Sequence, residues 1–443
     1  MSSNKNSNLD FNWNQHYIQA PAHKNDYLEP SVNQIQDVSI LSEDLRDGFH
    51  GVHLSPVVER VIPYIEKLYQ IGIRHIRAGI YSGKGNALDV KTQKLLSILY
   101  KKYPDIIPSI LSVTSEDSIR WAADCAKINP NLQTLIFMGS SPSRMIAEGW
   151  DEPYILDSMK RGFSMAREYG LKIIGATEHT TQTHPDFLAK ILDVQTKSAR
   201  KNMQVFCIAD TIGTARPKGV KNIVLWTKKY LKKIKRQDIL IEWHGHEDTG
   251  NSSANSLVAV SAGAKIIDTV SYGIGERAGN TKMESVLINL NNILEDNNIQ
   301  SKWKLEYLNS ALTDYCNLVK MDVPRIGMLG WNAFKTSLGI HTAAIYKLVQ
   351  LANSAATVDE KHEYIKMSHH VYSGIGPEKV GRYTDVRISP YSGKSTVKYY
   401  LERHGISTTS IQDKCIRRVL DLAKNMGREL THDEIIQVLT QCV

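Results

Sequence analysis

The stretch IEWHGHEDTG, residues 241–250, leads from a strand-like run into His244-Gly245-His246, two acids and a glycine. Side chains at positions i and i+2 of a β-strand lie on the same face. His244 and His246 are therefore predicted to project together from a strand end, at a spacing that allows both to bind one metal ion. An H-x-H pair alone is weak evidence, because two histidines on a strand are commonly ordinary polar residues.

The strand that carries this motif belongs to a repeated pattern, in which strand-like runs alternate with helical patterns. The eight predicted strands are 38–48, 75–80, 106–113, 132–140, 172–178, 204–210, 239–246 and 266–273. The helices that follow them are predicted at 55–71, 89–102, 115–128, 151–169, 185–200, 218–234, 252–262 and 280–293. Eight such units over about 250 residues are typical of a (β/α)8 TIM barrel, an α/β fold whose strands are buried on both faces.

The barrel divides the chain into four predicted parts. Residues 1–37 are rich in polar residues without a clear period and are predicted to be a flexible N-terminal arm. Residues 38–300 form the barrel. A mostly helical region follows at 301–390, with helical patterns at 303–320, 331–350 and 360–370, and a Gly- and Pro-punctuated loop begins at 373. Residues 391–443 are predicted to form a small helical C-terminal subdomain.

The composition is that of an ordinary globular protein, with 42% hydrophobic and 23% charged residues among 443. No apolar run approaches the roughly 18 residues of a membrane span, and the N-terminus lacks a signal-peptide pattern. We therefore expect a cytoplasmic protein that does not engage a membrane. Its five cysteines are scattered without a C-x-x-C pair, which favours reduced thiols.

The formal net charge is +8, and the densest basic run is KKYLKKIKR at 228–236. This run lies on an amphipathic pattern, which indicates the solvent face of an outer helix rather than a nucleic-acid site. We therefore expect no nucleic-acid partner. The positive excess would suit a polyanionic small molecule such as a coenzyme A ester.

Polar residues follow most of the predicted strands, at the end where TIM barrels carry their active sites. Asp47, after the first strand, is predicted to be the third metal ligand beside His244 and His246. Two histidines and one carboxylate leave coordination positions open for a substrate, and this donor set suits zinc, manganese or magnesium. The other strand-end candidates are Arg46, Ser141, Arg144, Glu178, Asp210, Thr211 and the loop GIGERAGN at 273–280.

Several motifs together resemble those of the isopropylmalate and homocitrate synthase family, metal-dependent TIM-barrel acyltransferases that perform Claisen condensations. The motifs are LRDG (45–48), HGHEDTGNSSANSLVAVSAGA (244–264), GIGERAGN (273–280), NAFKTSLGIH (332–341) and YSGIGPEKVG (372–381). The resemblance covers about residues 38 to 425. It implies an enzyme of amino-acid biosynthesis that condenses acetyl-CoA with a 2-oxo acid and hydrolyses the thioester, giving a 2-substituted malate and CoA.

The resemblance also implies residue roles. Asp47, His244 and His246 would bind a divalent metal with Asn280 close by. Arg46 and Thr211 would hold the carboxylate of the oxo acid, and Glu178 would lie in the active site. In a homodimer, His341 and Tyr372 would reach the active site from the partner subunit. The residues that would contact the coenzyme are Gly273, Gly275, Glu276, Arg277 and Asn280.

The chain departs from the family pattern at several positions where substrate is expected. Arg77 stands in place of an acid on the second strand, and His50, His179, Gln182 and Glu247 also differ. Arg77 is a candidate substrate-binding residue, and an inward-pointing arginine there needs an acidic partner.

Arg144 falls where homocitrate-type enzymes carry an arginine that binds the distal carboxylate of the oxo acid, which favours a homocitrate-like substrate. Less specific alternatives remain open. Arg144 would otherwise pair with Glu148 or Asp151, Arg46 with Glu43 or Asp44, and Thr211 would cap the next helix.

Two other functions remain open. A lyase of the hydroxymethylglutaryl-CoA type uses a similar barrel, but that family carries a cysteine in the loop where this chain has SYGIGERAGN, and it lacks a tail like 303–443. A catalytically inactive barrel that binds or regulates a partner is the other alternative, since Arg77 and Glu247 replace family-typical residues.

Overall fold

The computed structural model describes residues 29–409 and 411–442. Eight parallel strands close into a barrel in chain order, and the first strand pairs with the eighth from Ser39 with Ile266 to Ser42 with Thr269. The strands are β1 (Ser39–Ser42), β2 (His75–Ile80), β3 (Ile107–Val113), β4 (Gln133–Phe137), β5 (Lys172–Thr177), β6 (Met203–Asp210), β7 (Leu240–Gly245) and β8 (Ile266–Thr269). The predicted TIM barrel is confirmed.

Helices connect the strands and continue beyond the barrel. Those up to residue 199 are α1 (Val32–Asp37), α2 (Phe49–Gly51), α3 (Val58–Ile71), α4 (Ala87–Lys102), α5 (Glu116–Ile128), α6 (Pro142–Glu148), α7 (Glu152–Glu168) and α8 (Pro185–Ala199). The later ones are α9 (Pro217–Lys233), α10 (Ser252–Ala262), α11 (Met283–Asp296), α12 (Leu308–Val319), α13 (Gly339–Asn353), α14 (Val358–His370), α15 (Lys394–Arg403), α16 (Asp413–Met426) and α17 (His432–Thr440). Each predicted strand–helix unit is present.

The inside of the barrel combines an apolar layer with buried charges. Six strands contribute to the apolar cluster Leu41, Leu111, Leu135, Ile174, Ala176, Val205, Cys207 and Ile266. The other two strands, β2 and β7, contribute Arg77 and Glu242, both fully buried. These two side chains form an ion pair with 2.6 Å between Arg77 Nη2 and Glu242 Oε1. The barrel interior is therefore polar directly below the strand end that carries His244.

The first strand is shorter than the 38–48 predicted, because β1 ends at Ser42 and a π-helical turn follows at Asp44–Gly48. The Glu43 carbonyl oxygen accepts hydrogen bonds from the amides of Arg46, Asp47 and Gly48. The buried Asp44 carboxylate accepts from Ser42 Oγ, Tyr64 Oη and the Ser271 amide at 2.6 to 2.8 Å. These bonds turn the chain across the barrel mouth instead of extending the strand.

Contacts divide the described chain into two compact units, residues 29–322 and residues 323–442. In the second unit, β9 (Lys335–Thr336) pairs in parallel with β10 (Asp385–Val386). The predicted helix 331–350 is therefore wrong before residue 339, where α13 begins. Local periodicity could not show this, since the strand partner lies 50 residues away. The buried core of this unit includes Ile388, Val397, Leu401, Ile416 and Val419.

The predicted N-terminal arm falls largely on residues 1–28, which lie outside the described residues. Within the described part, α1 begins at a capping box in which Ser31 and Gln34 exchange side-chain and backbone hydrogen bonds. The bounds of the four predicted parts stay predictions. No helix of the described residues is both long and apolar enough to span a membrane.

Candidate active site

Asp47, His244 and His246 meet at the C-terminal end of the barrel. The two Nε2 atoms of the histidines are 3.2 Å apart. Asp47 Oδ2 lies 3.8 Å from His244 Nε2 and 3.6 Å from His246 Nε2. All three side chains are buried, so their potential ligand atoms face one another in a space largely shielded from solvent. The structure therefore brings together the three residues that the sequence predicted as metal ligands.

The net charge of the groups around these side chains shows whether a metal cation is compatible with the site. Two guanidinium groups, Arg46 and Arg77, contact carboxylates that face the histidines. The buried carboxylates that these two arginines contact are Glu43, Asp47, Glu242 and Asp268. With all four carboxylates ionised and both histidines neutral, the two guanidinium groups leave two negative charges. Burial and the nearby Glu242 raise the pKa of Asp268 to about 7, so this carboxylate is the one that holds a proton most readily when no cation is bound. A divalent cation at the three ligand atoms would neutralise the cluster, so the donor set and its charge fit the group.

The pKa shifts of Asp47 and His246 suit ligand roles, whereas for His244 burial is outweighed by the hydrogen bond to Asp268 and the charge of Glu43, which raise the pKa, so metal binding there would displace a proton. Burial opposes ionisation of Asp47, but Arg46, His244 and His246 outweigh it and hold the pKa of Asp47 well below its usual range. Burial, together with the neighbouring His244, lowers the pKa of His246 to about 4. At neutral pH, Asp47 is therefore ionised and His246 is neutral, as metal coordination requires.

The π-helical turn positions Asp47 through a close fit at Gly48. A Cβ atom on Gly48 would approach Tyr315 Oη to 2.1 Å and Val270 Cγ1 to 3.2 Å. From the other side, Asn280 Nδ2 donates to Asp47 Oδ2 at 2.7 Å. Asn280 thus touches a candidate ligand, and its Oδ1 atom is buried without a hydrogen-bond partner among the described residues.

Gly48→Ala is expected to destabilise the protein by roughly 1–3 kcal/mol, because the added methyl group overlaps Tyr315 in a packed region. The same displacement would weaken metal binding by moving Asp47. Thermal unfolding with and without added metal measures both effects. Gly219→Ala in α9 is the matched control, since no atom lies within 4 Å of its added Cβ. If Gly48→Ala bound the metal as tightly as the parent, the proposal that this turn positions Asp47 would be contradicted.

Two carboxylates support His244 from below. Asp268 Oδ2 is 3.2 Å from His244 Nδ1, and Glu43 Oε1 is 3.8 Å from the same atom. Such a contact fixes which ring nitrogen of a metal-binding histidine is free to coordinate. Sequence analysis did not identify Glu43, Glu242 or Asp268 as site residues. The signal that was available is an acid within an apolar strand, as in IIDT and LIEW.

Arg46 lies at the edge of the ligand set, where its Nη2 is 2.7 Å from Glu43 Oε2 and its Nη1 is 3.2 Å from Asp47 Oδ1. The pairing with Glu43 that sequence analysis left open is therefore present. Its side chain keeps 12% exposure, so it borders the space above the barrel. Arg77, the other predicted substrate contact, is 0% exposed and donates to Glu43, Ser109 and Glu242. Arg77 therefore has the acidic partners that were predicted for an inward-pointing arginine at this position.

Arg144 and Glu178 form a second cluster above β4 and β5. Arg144 Nη1 is 2.7 Å from Glu148 Oε1, and its Nε is 3.4 Å from Glu178 Oε2. Its guanidinium carbon lies 5.7 Å from the Trp150 ring centre. The Arg144 side chain is 39% exposed and the Glu178 side chain 29%. The pairing with Glu148 foreseen as an alternative is thus present, although it is open to solvent.

Thr211 joins β6 to this cluster. Its hydroxyl accepts a hydrogen bond from the His179 amide at 2.8 Å, and His179 has a left-handed backbone with φ of 61°. His179 Nδ1 in turn lies 3.1 Å from Ser141 Oγ. Thr211 does not cap the next helix, because α9 starts at Pro217 with Arg216 as its N-cap.

The loop 273–280 lines an open groove. Its other walls are residues 51–54 and 319–321, and the groove volume is about 610 Å³. A Cβ atom on Gly275 would overlap Asn280 Oδ1, at 1.9 Å, and a Cβ on Gly51 would approach the Gly275 backbone to 2.1 Å. Arg277 is held beside the groove by Asp248, with 3.0 Å between Nε and Oδ1. Glu276 lies on the same loop and is partly buried.

His341 and Tyr372 meet within the unit 323–442. Their rings stack with centroids 3.9 Å apart and planes inclined by 25°. They line a pocket of about 80 Å³ together with Phe334 and His369, and His369 Nδ1 lies 2.6 Å from Glu378 Oε2. Tyr372 is 46% exposed. The two residues predicted to act as a pair are therefore in contact and accessible.

Comparisons with known proteins identify the family and the fold of the chain. A family model described as HMGL-like matches residues 37–314. The 2-isopropylmalate synthase of Sulfurisphaera tokodaii is 27% identical over 406 residues, which are 90% of this chain and 92% of that protein. Homocitrate synthase AksA of Methanothermobacter thermautotrophicus is 26% identical over 416 residues, 92% of this chain and 94% of that protein. The structure of hydroxymethylglutaryl-CoA lyase from Pseudomonas aeruginosa has a TM-score of 0.52 and 16% identity, covering 66% of this chain and 95% of the lyase.

Proposed function

Because this chain belongs to the HMGL-like family, we propose that it is a metal-dependent acyltransferase that condenses acetyl-CoA with a 2-oxo acid and hydrolyses the thioester. The family predicted from the motifs is confirmed. The observation that carries the proposal is the buried group Asp47, His244 and His246, whose ligand atoms lie within 4.8 Å of one another. The products would be a 2-substituted malate and CoA.

The metal site would fix the oxo acid. When bound, the metal would polarise the keto group of the substrate. Arg46 would pair with the substrate carboxylate, since its guanidinium borders the ligand set and stays partly exposed. Thr211 would contribute a hydroxyl group to the same carboxylate. Burial of the ligand side chains excludes water, which strengthens these interactions.

The second substrate would bind along the groove of the loop 273–280, where glycines allow the coenzyme to approach the backbone closely. Condensation requires that the acetyl methyl group lose a proton, after which its carbon bonds to the keto carbon and the keto oxygen gains a proton. We assign the base to His341, oriented by Tyr372, with Glu178 assisting in the site. In a homodimer, His341 and Tyr372 would come from the partner subunit.

The extent of similarity favours a synthase over a lyase. The synthase relatives match about 90% of this chain, which includes most of the unit 323–442. The lyase structure matches 66% of it, and at 16% identity this match shows the fold alone. The second unit also carries the stacked His341 and Tyr372.

The test of this proposal is a substrate screen with controlled metal content. The purified protein is stripped with a chelator, reloaded with Zn²⁺, Mn²⁺ or Mg²⁺, and mixed with acetyl-CoA and single oxo acids. Thiol release measures CoA formation against pyruvate, 2-oxoisovalerate, 2-oxoglutarate, oxaloacetate and aromatic oxo acids. We expect metal-dependent release with one of them. Metal binding without any thiol release would favour the inactive barrel, and cleavage of hydroxymethylglutaryl-CoA would favour the lyase.

Arg144 is the residue on which we base the choice of oxo acid. Its ion pair with Glu148 is exposed on both sides, and exposed pairs contribute only about 0–1 kcal/mol. A substrate carboxylate can therefore displace Glu148 at little cost. We propose a dicarboxylic, homocitrate-type substrate, with an isopropylmalate-type substrate as the alternative.

Arg144→Leu is expected to raise the KM for 2-oxoglutarate by about thirtyfold, which corresponds to the loss of roughly 2 kcal/mol of charge-assisted hydrogen bonding. The KM for 2-oxoisovalerate should change little. Glu148→Gln is the matched control, because it frees Arg144 without removing it and should not raise the KM for the dicarboxylic acid. An equal loss for both oxo acids, or a parent enzyme that prefers 2-oxoisovalerate, would contradict the assignment.

A further inference from the structure

Arg77 is a fully enclosed charge inside the barrel. Its exposure is 0%, and three of its nitrogen atoms donate to groups on different strands or loops. Nε donates to Glu43 Oε1 at 3.0 Å, Nη1 to Ser109 Oγ at 2.8 Å and Nη2 to Glu242 Oε1 at 2.6 Å. Nη2 also lies 3.4 Å from Asp268 Oδ2. One guanidinium group therefore links β2, β3, β7, β8 and the turn after β1.

The carboxylates that Arg77 contacts lead directly to the candidate metal ligands. The Asp268 oxygen that faces Arg77 is also 3.2 Å from His244 Nδ1. The Glu43 oxygen that accepts from Arg77 is 3.8 Å from the same nitrogen, and the other Glu43 oxygen pairs with Arg46. Arg77 does not reach the ligand atoms itself. Its contacts instead define where the two anions beside His244 lie.

We propose that Arg77 is a positioning residue for metal binding, which holds Glu43 and Asp268 so that His244 presents Nε2 to the metal. The inference rests on the proposed metal-dependent function. A planar fork of donors suits this role, because it can hold several carboxylates in fixed directions at once. Partners of metal-binding histidines of this kind typically change metal affinity 10- to 100-fold when they are altered.

The competing explanation is that Arg77 serves only to pair with Glu242. Buried ion pairs can often be replaced by apolar residues of similar size without loss of stability. The double variant Arg77→Met, Glu242→Met separates the two explanations, because it removes one cation and one anion and leaves the net charge of the cluster unchanged. Any change in metal affinity then results from a change in the positions of Glu43 and Asp268 and not from a change in the net charge of the cluster.

The experiment measures binding of Mn²⁺ and Zn²⁺ alone to the full-length chain, by calorimetry and by competition with a chromophoric chelator. We expect the folded double variant to bind the metal at least about tenfold more weakly. The KM for acetyl-CoA should stay unchanged while kcat falls. Wild-type affinity in the folded double variant would overturn the proposal.

Arg77→Lys keeps the charge and covers the case in which the double variant does not fold. An ammonium group cannot span the three carboxylates, so we expect a loss of at least about threefold in metal affinity. Wild-type affinity in Arg77→Lys would equally overturn the proposal.

The matched control is Arg236→Met. Arg236 donates to the carbonyl oxygens of Arg200 and Met203 at the opposite end of the barrel, so its loss should lower stability without affecting metal affinity. Failure of the parent protein to bind either metal would refute the proposed function itself. Normal binding in the parent and in all Arg77 variants would refute only the role of Arg77.

Discussion

Asp47→Ala is expected to abolish stoichiometric metal binding and to lower kcat/KM by about a thousandfold or more. The missing carboxylate supplies one of three protein ligand positions, and the metal contributes several kcal/mol of charge stabilisation in reactions of this kind. His246→Ala should have the same effect, since its Nε2 lies 3.2 Å from the corresponding atom of His244. Metal content after dialysis and thiol release from acetyl-CoA measure the two losses.

The fold should survive these changes, because the ligand side chains face the barrel mouth while the apolar cluster of the strands is untouched. Asp157→Ala is the matched control. Asp157 pairs with Arg161 on the surface of α7, where its side chain is 57% exposed, and its removal should leave metal content and activity unchanged. Full activity of Asp47→Ala after chelation and dialysis would remove the metal assignment.

The arrangement of the barrel was predictable from the sequence because each strand–helix unit carries its own periodic signal. β2 coincides with the predicted HIRAGI segment, and α10 with the predicted helix 252–262. The H-x-H motif also predicted where two candidate ligands lie, since alternation along β7 and the residue after it places His244 and His246 on one face. Asp47 followed from the rule that polar residues at the C-terminal strand ends converge.

The parts that the sequence did not predict depend on contacts distant along the chain. Arg77 on β2 and Glu242 on β7 are 165 residues apart, so neither predicts the other locally. The π-helical turn after β1 is stabilised by hydrogen bonds that the Asp44 carboxylate accepts from Tyr64 and Ser271, which lie 20 and 227 residues away. The short strands β9 and β10 likewise form by pairing with each other across 50 residues of chain. In each case a tertiary partner overrides the local pattern.

Three residues at which the sequence was expected to depart from the family pattern or to choose the substrate lie in two layers of the candidate site. Arg77 lies in the buried layer, where it pairs with Glu43, Glu242 and Asp268. His179 and Arg144 lie in the upper, partly exposed layer. Under the proposed function, a change in the lower layer is expected to alter metal affinity whatever the substrate, whereas a change in the upper layer is expected to alter the choice of oxo acid. The Arg77 variants are therefore expected to differ from the parent in metal affinity, and the Arg144 variant in its preference among oxo acids.

Mixing His341→Ala subunits with Glu178→Ala subunits is expected to restore activity that neither variant has alone. If the active site combines Glu178 of one subunit with His341 of the other, each hybrid dimer contains one site with both residues intact. Random exchange between equal amounts makes half of the dimers hybrid, so about a quarter of the parent activity should return. Thiol release after a denaturation-free exchange step measures this recovery.

The stacked pair in the unit 323–442 provides the matched control. His341 and Tyr372 are in ring contact within one unit, so both would enter the active site from the same subunit. Mixing His341→Ala with Tyr372→Ala should therefore restore nothing, because every site of a hybrid dimer lacks one member of the pair. No recovery in the His341 and Glu178 mixture, once subunit exchange is demonstrated by mass-tagged dimers, would contradict shared sites. Recovery in both mixtures would mean that one active site takes His341 and Tyr372 from different subunits, which would contradict a pair that acts from within one unit.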